Sequence, residues 1–345
     1  MADPGLGLLL AGESDVARRA ADRFAAQAVD LDRKQTDLTA FDRFQTTLRQ
    51  PVSVTGPGTF FGKAHRTLTF EPSATDGWCF RREDLPESLP IRVSVNNVWT
   101  TVRNIVLCSG SPHNYMRMVE HIIALRLGLG IDNVLIRLDS GDPPLFDRGS
   151  MDLVEALDAG GRESLPVSVR YVTVKEPVTV AGPNGGFLTV TPCATRAPLL
   201  NLDCAVDFKS AIGKQRIRVT VTPDVCRFGA LARTNTTFAM MLYCKTIGQL
   251  FADTRYLGYT PQNILIAGRR RYFNEPKMMH NGKSLEAVWH RAILDLLAAL
   301  ALIDGGRLVG DVTSYKAGHA LDVLMVRTLH ERQMLVDFKP GTTAG

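Results

Sequence analysis

The chain has 345 residues, 45% of them hydrophobic and 22% charged, with a formal net charge of +5 at pH 7. These are the proportions of a soluble globular protein with room for about two or three domains. The slight positive excess favours anionic ligands but does not indicate nucleic acid, because no lysine/arginine block interleaved with aromatics accompanies it; "GRRRY" at Gly268–Tyr272 reads as a solvated turn. The six cysteines show no C-x-x-C pair, so neither a disulfide framework nor a cysteine zinc knuckle is signalled, and a reducing cytosol fits best. No apolar run reaches the ~18 residues of a membrane span, and "GLGLLLAG" near the start lacks a preceding basic region and a cleavage site, so neither a transmembrane segment nor secretion is expected.

In chain order, residues 1–45 read as an N-terminal extension, with one amphipathic helix in "SDVARRAADRFAAQAVDLDR". Alternating Val52 and Val54, a Gly-Pro-Gly turn, then Leu68 and Phe70 predict a β-hairpin, and "PIRVSVNNVWTTVRNIVLC" continues in strands. The stretch "MRMVEHIIALRLGLGIDNV", Met116–Val134, is apolar at helical spacing yet sets Glu120 and His121 side by side. A strand in "NVLIRLDS", a loop in "GDPPLFDRGS" and a helix in "MDLVEALDAGG" close the first unit.

A second unit follows the same grammar. Strands in "VSVRYVTVKEPVTVAG", "FLTVTPC", "LLNLDCAVDF" and "RIRVTVTP" lead to helices in "TFAMMLYCKTIGQLFADT" and "LEAVWHRAILDLLAALALI", then to strand and loop in "LVGDVTSYKAGHALD". Two successive strand-rich halves with buried helices predict an α+β fold of two tandem similar domains, 46–160 and 166–335. Each is a sheet layered on helices, with the helices sandwiched between the domains and a site there.

"MVEHIIALRLGLGIDNV" followed by "DPPLFD", "ARTNTTF" and "HRAILDLLAALALIDGGRLVGDVTSYKAGHAL" resembles UDP-3-O-acyl-N-acetylglucosamine deacetylase, the zinc amidase of lipid A biosynthesis. The likeness runs from about Thr46 to Leu329, and the Val-Glu-His and Lys-x-Gly-His-Ala-Leu blocks are specific only together. The resemblance implies roles for matching residues. His121, His290 and Asp295 match zinc ligands, Glu120 the general base, Thr234 a hydroxyl donor near the oxyanion, and His319 the imidazole that steadies the intermediate and protonates the leaving amine. Lys316 matches a lysine near the substrate's phosphates, Arg291 stands in for another lysine, and Phe238 opens a stretch matching the insert that takes the acyl chain. The implied partner is an acylated UDP-amino sugar, with no nucleic acid. Taken singly, His121 would be an ordinary core histidine.

The chain departs from that pattern where the metal should sit. "HRAILD" puts His290 and Asp295 five residues apart instead of four, about 140° around a regular α-helix. Two arrangements reconcile this: a π-bulge at an inserted Ala292 that restores a shared face, or a regular helix in which Arg291 pairs with Asp295 and no metal binds. Phe60, Ala299 and Asn235 also replace the usual His, Asp and Phe. The implied activity is a zinc-dependent deacetylase; the alternatives are a metal-free paralogue that binds a sugar nucleotide or acyl chain, and a partner-binding protein using the N-terminal helix.

Overall fold

The computed structural model describes residues 6–37, 41–60, 64–246 and 259–341. Its largest sheet has seven strands, in the order Leu8–Ala11, Val178–Ala181, Phe187–Thr191, Gly310–Tyr315, Leu200–Asp207, Lys214–Thr220, Leu31–Arg33. Both outer strands come from the N-terminal segment and run parallel to their neighbours, Leu8 beside Val178 and Leu31 beside Ile217. Between them helix α1, Ser14–Ala25, lies across one face of the sheet. Ala17, Ala20 and Phe24 bury there against Phe187, Ala205 and Tyr315, a cluster separate from the main core.

The first half centres on a five-stranded sheet, Val52–Pro57, His65–Pro72, Val134–Leu138, Trp78–Arg82, Ile91–Arg92. Val52 faces Phe70 and Val54 faces Leu68 in the expected antiparallel hairpin, whose distal residues 61–63 lie outside the described part. Helix α2, Glu120–Leu129, leads into the strand Val134–Leu138, and α3, Met151–Gly160, packs on Val52–Pro57. In the second half come α4, Pro223–Gly229, and α5, Phe238–Lys245. The helix expected to continue from α5 through Thr254 falls largely on residues 247–258, outside the described part.

One long helix, α6, consists of an α-turn Glu286–His290, a π segment Arg291–Leu296 and an α-turn Leu297–Leu300. The last helix, α7, His319–Glu331, corrects the expected "strand and loop": the strand Gly310–Tyr315 is there, but "HALD" starts a helix. Buried Asp322, Met325, Val326 and Leu329 supply its inward stripe at spacings of three and four.

α2 packs against α4 and α6, so helices of the two halves meet. Two glycines permit the close approach: a Cβ on Gly128 of α2 would lie 2.2 Å from the Cys226 sulfur, and one on Gly229 of α4 would lie 2.4 Å from the Ile293 side chain. The buried Arg126 guanidinium of α2 donates to the carbonyls of Ala301 (2.7 Å) and Ile303 (3.4 Å), satisfying groups left open where α6 ends. The main core is continuous, running from Phe70, Phe80 and Ile136 through Ile122 and Ile123 to Leu294 and Leu297.

Candidate active site

The helix-to-helix contact brings together side chains from α2, α6 and α7 and the strand Thr234–Thr237. Glu120 stands in the first turn of α2, almost fully buried, and its Oε2 accepts from the Ile105 N–H at 3.2 Å. Burial pushes its carboxyl above the ordinary value, opposed by the nearby His319. His121 points its Nδ1 at the Ser150 hydroxyl, 3.1 Å away. Burial, together with neighbouring His290, depresses its pKa to about 3, so the ring is a neutral imidazole.

His290 approaches from α6, its Nε2 3.3 Å from Nε2 of His121 and 2.8 Å from the Thr234 hydroxyl. Thr234 is held there by its neighbour Arg233, which forms a buried ion pair with Glu286 in the first turn of α6 (2.6 Å). The π segment accounts for the five-residue spacing. In i→i+5 register residues five apart stack one turn apart, and His290 Nδ1 lies 3.5 Å from Asp295 Oδ2. The regular-helix alternative, Arg291 paired with Asp295, does not form. Arg291 turns the other way, buried, with Nη2 2.5 Å from Asp322 of α7 and 3.1 Å from the Ser314 hydroxyl.

His319 begins α7 and joins the two carboxylates: its Nε2 is 3.8 Å from Glu120 Oε1 and 3.7 Å from Asp295 Oδ1. Burial opposes its charge, but Asp295, Glu120 and Asp322 prevail and raise its pKa. Burial likewise disfavours the Asp295 carboxylate, and His290, His319 and Arg291 overcome this to hold it well below the ordinary range. Two buried atoms, Asp295 Oδ1 and His319 Nδ1, have no hydrogen-bond partner among the described residues.

A cavity of about 230 Å³ opens beside Asp295, walled by Arg291, Asn235, Ala287 and the exposed Lys316. Thr234–Thr237 runs from the histidines toward a second, open groove of about 740 Å³ that Phe238 lines, stacked at 4.3 Å on Phe273. Thus the structure gathers Glu120, His121, Thr234, His290, Asp295 and His319. It puts Lys316 at an adjoining rim, Phe238 beyond the strand, and Arg291 in a buried ion pair. Sequence reasoning missed Ser150, although the "DRGS" loop was recognised, and missed Ser314 and Asp322. Only Asp322 left a signal, one helical turn after His319.

The donor set matches zinc in chemistry: two imidazoles, one of them neutral, and a buried carboxylate oxygen that accepts no hydrogen bond among the described residues. As the side chains stand, the imidazole Nε2 atoms converge while the carboxylate lies at Nδ1 of His290. No group of three or more potential ligands forms a metal cluster among the described residues.

A buried carboxylate and a buried imidazole on facing helices, with a hydroxyl and two further imidazoles beside them, are groups that hydrolytic chemistry uses, on an α+β fold. Residues 45–331 match the family described as UDP-3-O-acyl N-acetylglycosamine deacetylase, and the chain belongs to that family. Among its relatives, the UDP-3-O-acyl-N-acetylglucosamine deacetylase of Campylobacter jejuni is 30% identical over 82% of this chain and 90% of that protein. The protein of the same name from Idiomarina loihiensis is 28% identical over 85% of this chain and 92% of its own length. No helix among the described residues is long and apolar enough to cross a membrane.

Proposed function

We propose that this protein hydrolyses the N-acetyl group of a UDP-3-O-acyl-N-acetylglucosamine-like substrate, in the cytoplasm and as a step of lipid A biosynthesis, with zinc held by His121, His290 and Asp295. The proposed division into domains at 46–160 and 166–335 puts this site between them. One observation carries the reading: the π segment, which puts His290 and Asp295 on one face of α6 against His121 of α2. Bound zinc would polarise the amide carbonyl and acidify a bound water.

The chain's own residues supply the rest. Glu120 takes the water's proton, and burial, by raising its pKa, makes it a stronger base than an exposed carboxylate. His319, kept charged by Asp295 and Glu120, steadies the oxyanion and then protonates the leaving amine. Thr234 donates its hydroxyl to the same oxygen. Lys316 offers its ammonium to the diphosphate from the cavity rim, while Arg291, matched in charge by Asp322, forms part of the cavity wall. The acyl chain follows the Thr234–Thr237 strand, about 10 Å of extended backbone, to the apolar groove at Phe238.

Protein purified without added metal should contain stoichiometric zinc and release acetate from the acylated sugar nucleotide; chelation should stop turnover and zinc should restore it. His290→Ala should lose the zinc and keep the fold, and hydrolysis surviving in that variant would remove His290 as a ligand. Binding of the sugar nucleotide with neither zinc nor hydrolysis would select the metal-free paralogue. Equal affinity for acylated and deacylated substrate would dispose of the acyl groove.

A further inference from the structure

The unit beyond Thr237 turns apolar side chains outward. Phe238, Leu242, Tyr243 and Phe273 are each 45–54% exposed. Spacing of four residues sets Phe238 above Leu242, and Ala239 above Tyr243, on one face of α5. Four exposed cations crowd the rim of the same groove, Lys209 and the consecutive Arg269, Arg270 and Arg271. The Ala211 N–H donates to the Gly268 carbonyl at 2.9 Å and ties the lysine's loop to the arginine turn, while the Arg271 guanidinium lies 5.5 Å over the Phe273 ring. None of the four cations has an ion-pair partner among the described residues. The acids nearest in sequence are Asp207, which accepts from the Tyr315 hydroxyl, and Glu275.

Exposed aromatic and aliphatic side chains beside arginines that pair with no acid among the described residues have the composition of an interfacial membrane contact, where apolar groups enter the headgroup boundary and cations meet lipid phosphates. We propose that this face, α5 with the Gly268–Phe273 turn, docks the protein onto an anionic phospholipid surface. Arginine suits the task because its planar guanidinium bonds phosphate in bidentate fashion and stacks on aromatic rings. The inference goes beyond the deacetylase reading, and the face it uses borders the groove proposed for the acyl chain.

Co-sedimentation of the full chain with phosphatidylglycerol/phosphatidylcholine vesicles, and with vesicles of phosphatidylcholine alone, tests it. Binding is expected on the anionic vesicles only, weakening as salt rises. Arg269→Gln/Arg270→Gln/Arg271→Gln should weaken it about a hundredfold, from three lost surface charges, while the far-UV circular dichroism and the Tm stay those of the wild type. Leu242→Ser/Tyr243→Ser should remove the part that resists salt. Equal binding to both vesicle types, no binding, or undiminished binding of the triple variant would overturn the proposal. So would a single-stranded oligonucleotide that displaces the protein from vesicles and binds it more tightly, which would make the face a nucleic-acid surface.

Discussion

The two helices that meet at the site carry their polar groups by different means. α2 places Glu120 and His121 in its first turn, where free backbone N–H groups and the positive end of the helix dipole tolerate a carboxylate, and the apolar remainder is regular helix. α6 places His290, Arg291 and Asp295 in mid-helix, where His290, Arg291 and their apolar neighbours Trp289, Ala292 and Leu294 are all buried. There the helix supplies no free donors. The charge must be met from elsewhere: Asp322 and Ser314 serve Arg291, His319 serves Asp295, and the backbone slips into π register. A functional group at the start of a helix draws part of its support from the helix itself; one in a buried middle depends wholly on other elements.

Glu120→Gln tests the self-supported side and should have the largest effect. The substitution keeps the shape and the Ile105 contact but removes the proposed base, so kcat should fall by about 10²–10⁴ with no change in Tm. The wild-type pH profile should rise and then fall. Glu120 works deprotonated, so the rate climbs as pH passes its pKa, which burial has raised above 4.5. His319 works protonated, so the rate declines only above its own raised value, on the alkaline side of 6.5. His319→Gln should flatten the alkaline limb; an unchanged limb in that variant would assign it to another group.

On the dependent side, Asp322→Ala leaves the buried Arg291 guanidinium without its carboxylate, with only the Ser314 hydroxyl beside it. It should lower folding stability by about 3–5 kcal/mol in denaturant titration. Replacing both partners, Arg291→Met with Asp322→Leu, should restore most of that loss. If the double variant is as unstable as the single one, the pair contributes more than mutual neutralisation.

Ser150→Ala is a smaller perturbation on α2's side. The Ser150 hydroxyl fixes the orientation of the His121 ring through Nδ1, and loss of such a support should weaken zinc binding by about tenfold or more. Competition with a chelator reads this directly. Unaltered affinity would mean that packing alone orients the ring.

How much of this was legible in the sequence follows the same division. The hairpin around Val52 and Leu68, the regular helix α2 and the spacing conflict at "HRAILD" are local patterns, and local chemistry sets them. What escaped depends on distant partners. The strands Leu8–Ala11 and Leu31–Arg33 are short, and only the remote edges Val178–Ala181 and Lys214–Thr220 make strands of them. The first turn of α7, "HALD", reads as loop because "YKAG" sets a glycine and polar residues just before it; in the structure Lys316 there turns the chain at φ 49°. The direction of Arg291 could not be read from α6 alone, since both arrangements of the helix satisfy its own sequence and Asp322 decides between them.

The finest test of the comparison concerns the backbone of α6. If the π segment is an ordinary helix carrying one extra residue, deleting Ala292 returns His290 and Asp295 to a four-residue spacing in regular α register, where they again share a face. Ala292 is fully buried but contributes a single methyl group; losing its contacts costs about 1 kcal/mol, offset in part by better helical hydrogen bonds. The α-turns Glu286–His290 and Leu297–Leu300 should then keep their packing, and Arg291, before the deletion, should keep Asp322. Zinc content should be unchanged and stability should move by no more than about 1 kcal/mol. Adding a second alanine at this point sets the pair six residues apart, beyond what one π turn absorbs, and should release the zinc. If the deletion releases it too, the wide turn itself shapes the site and is not merely an accommodated insertion.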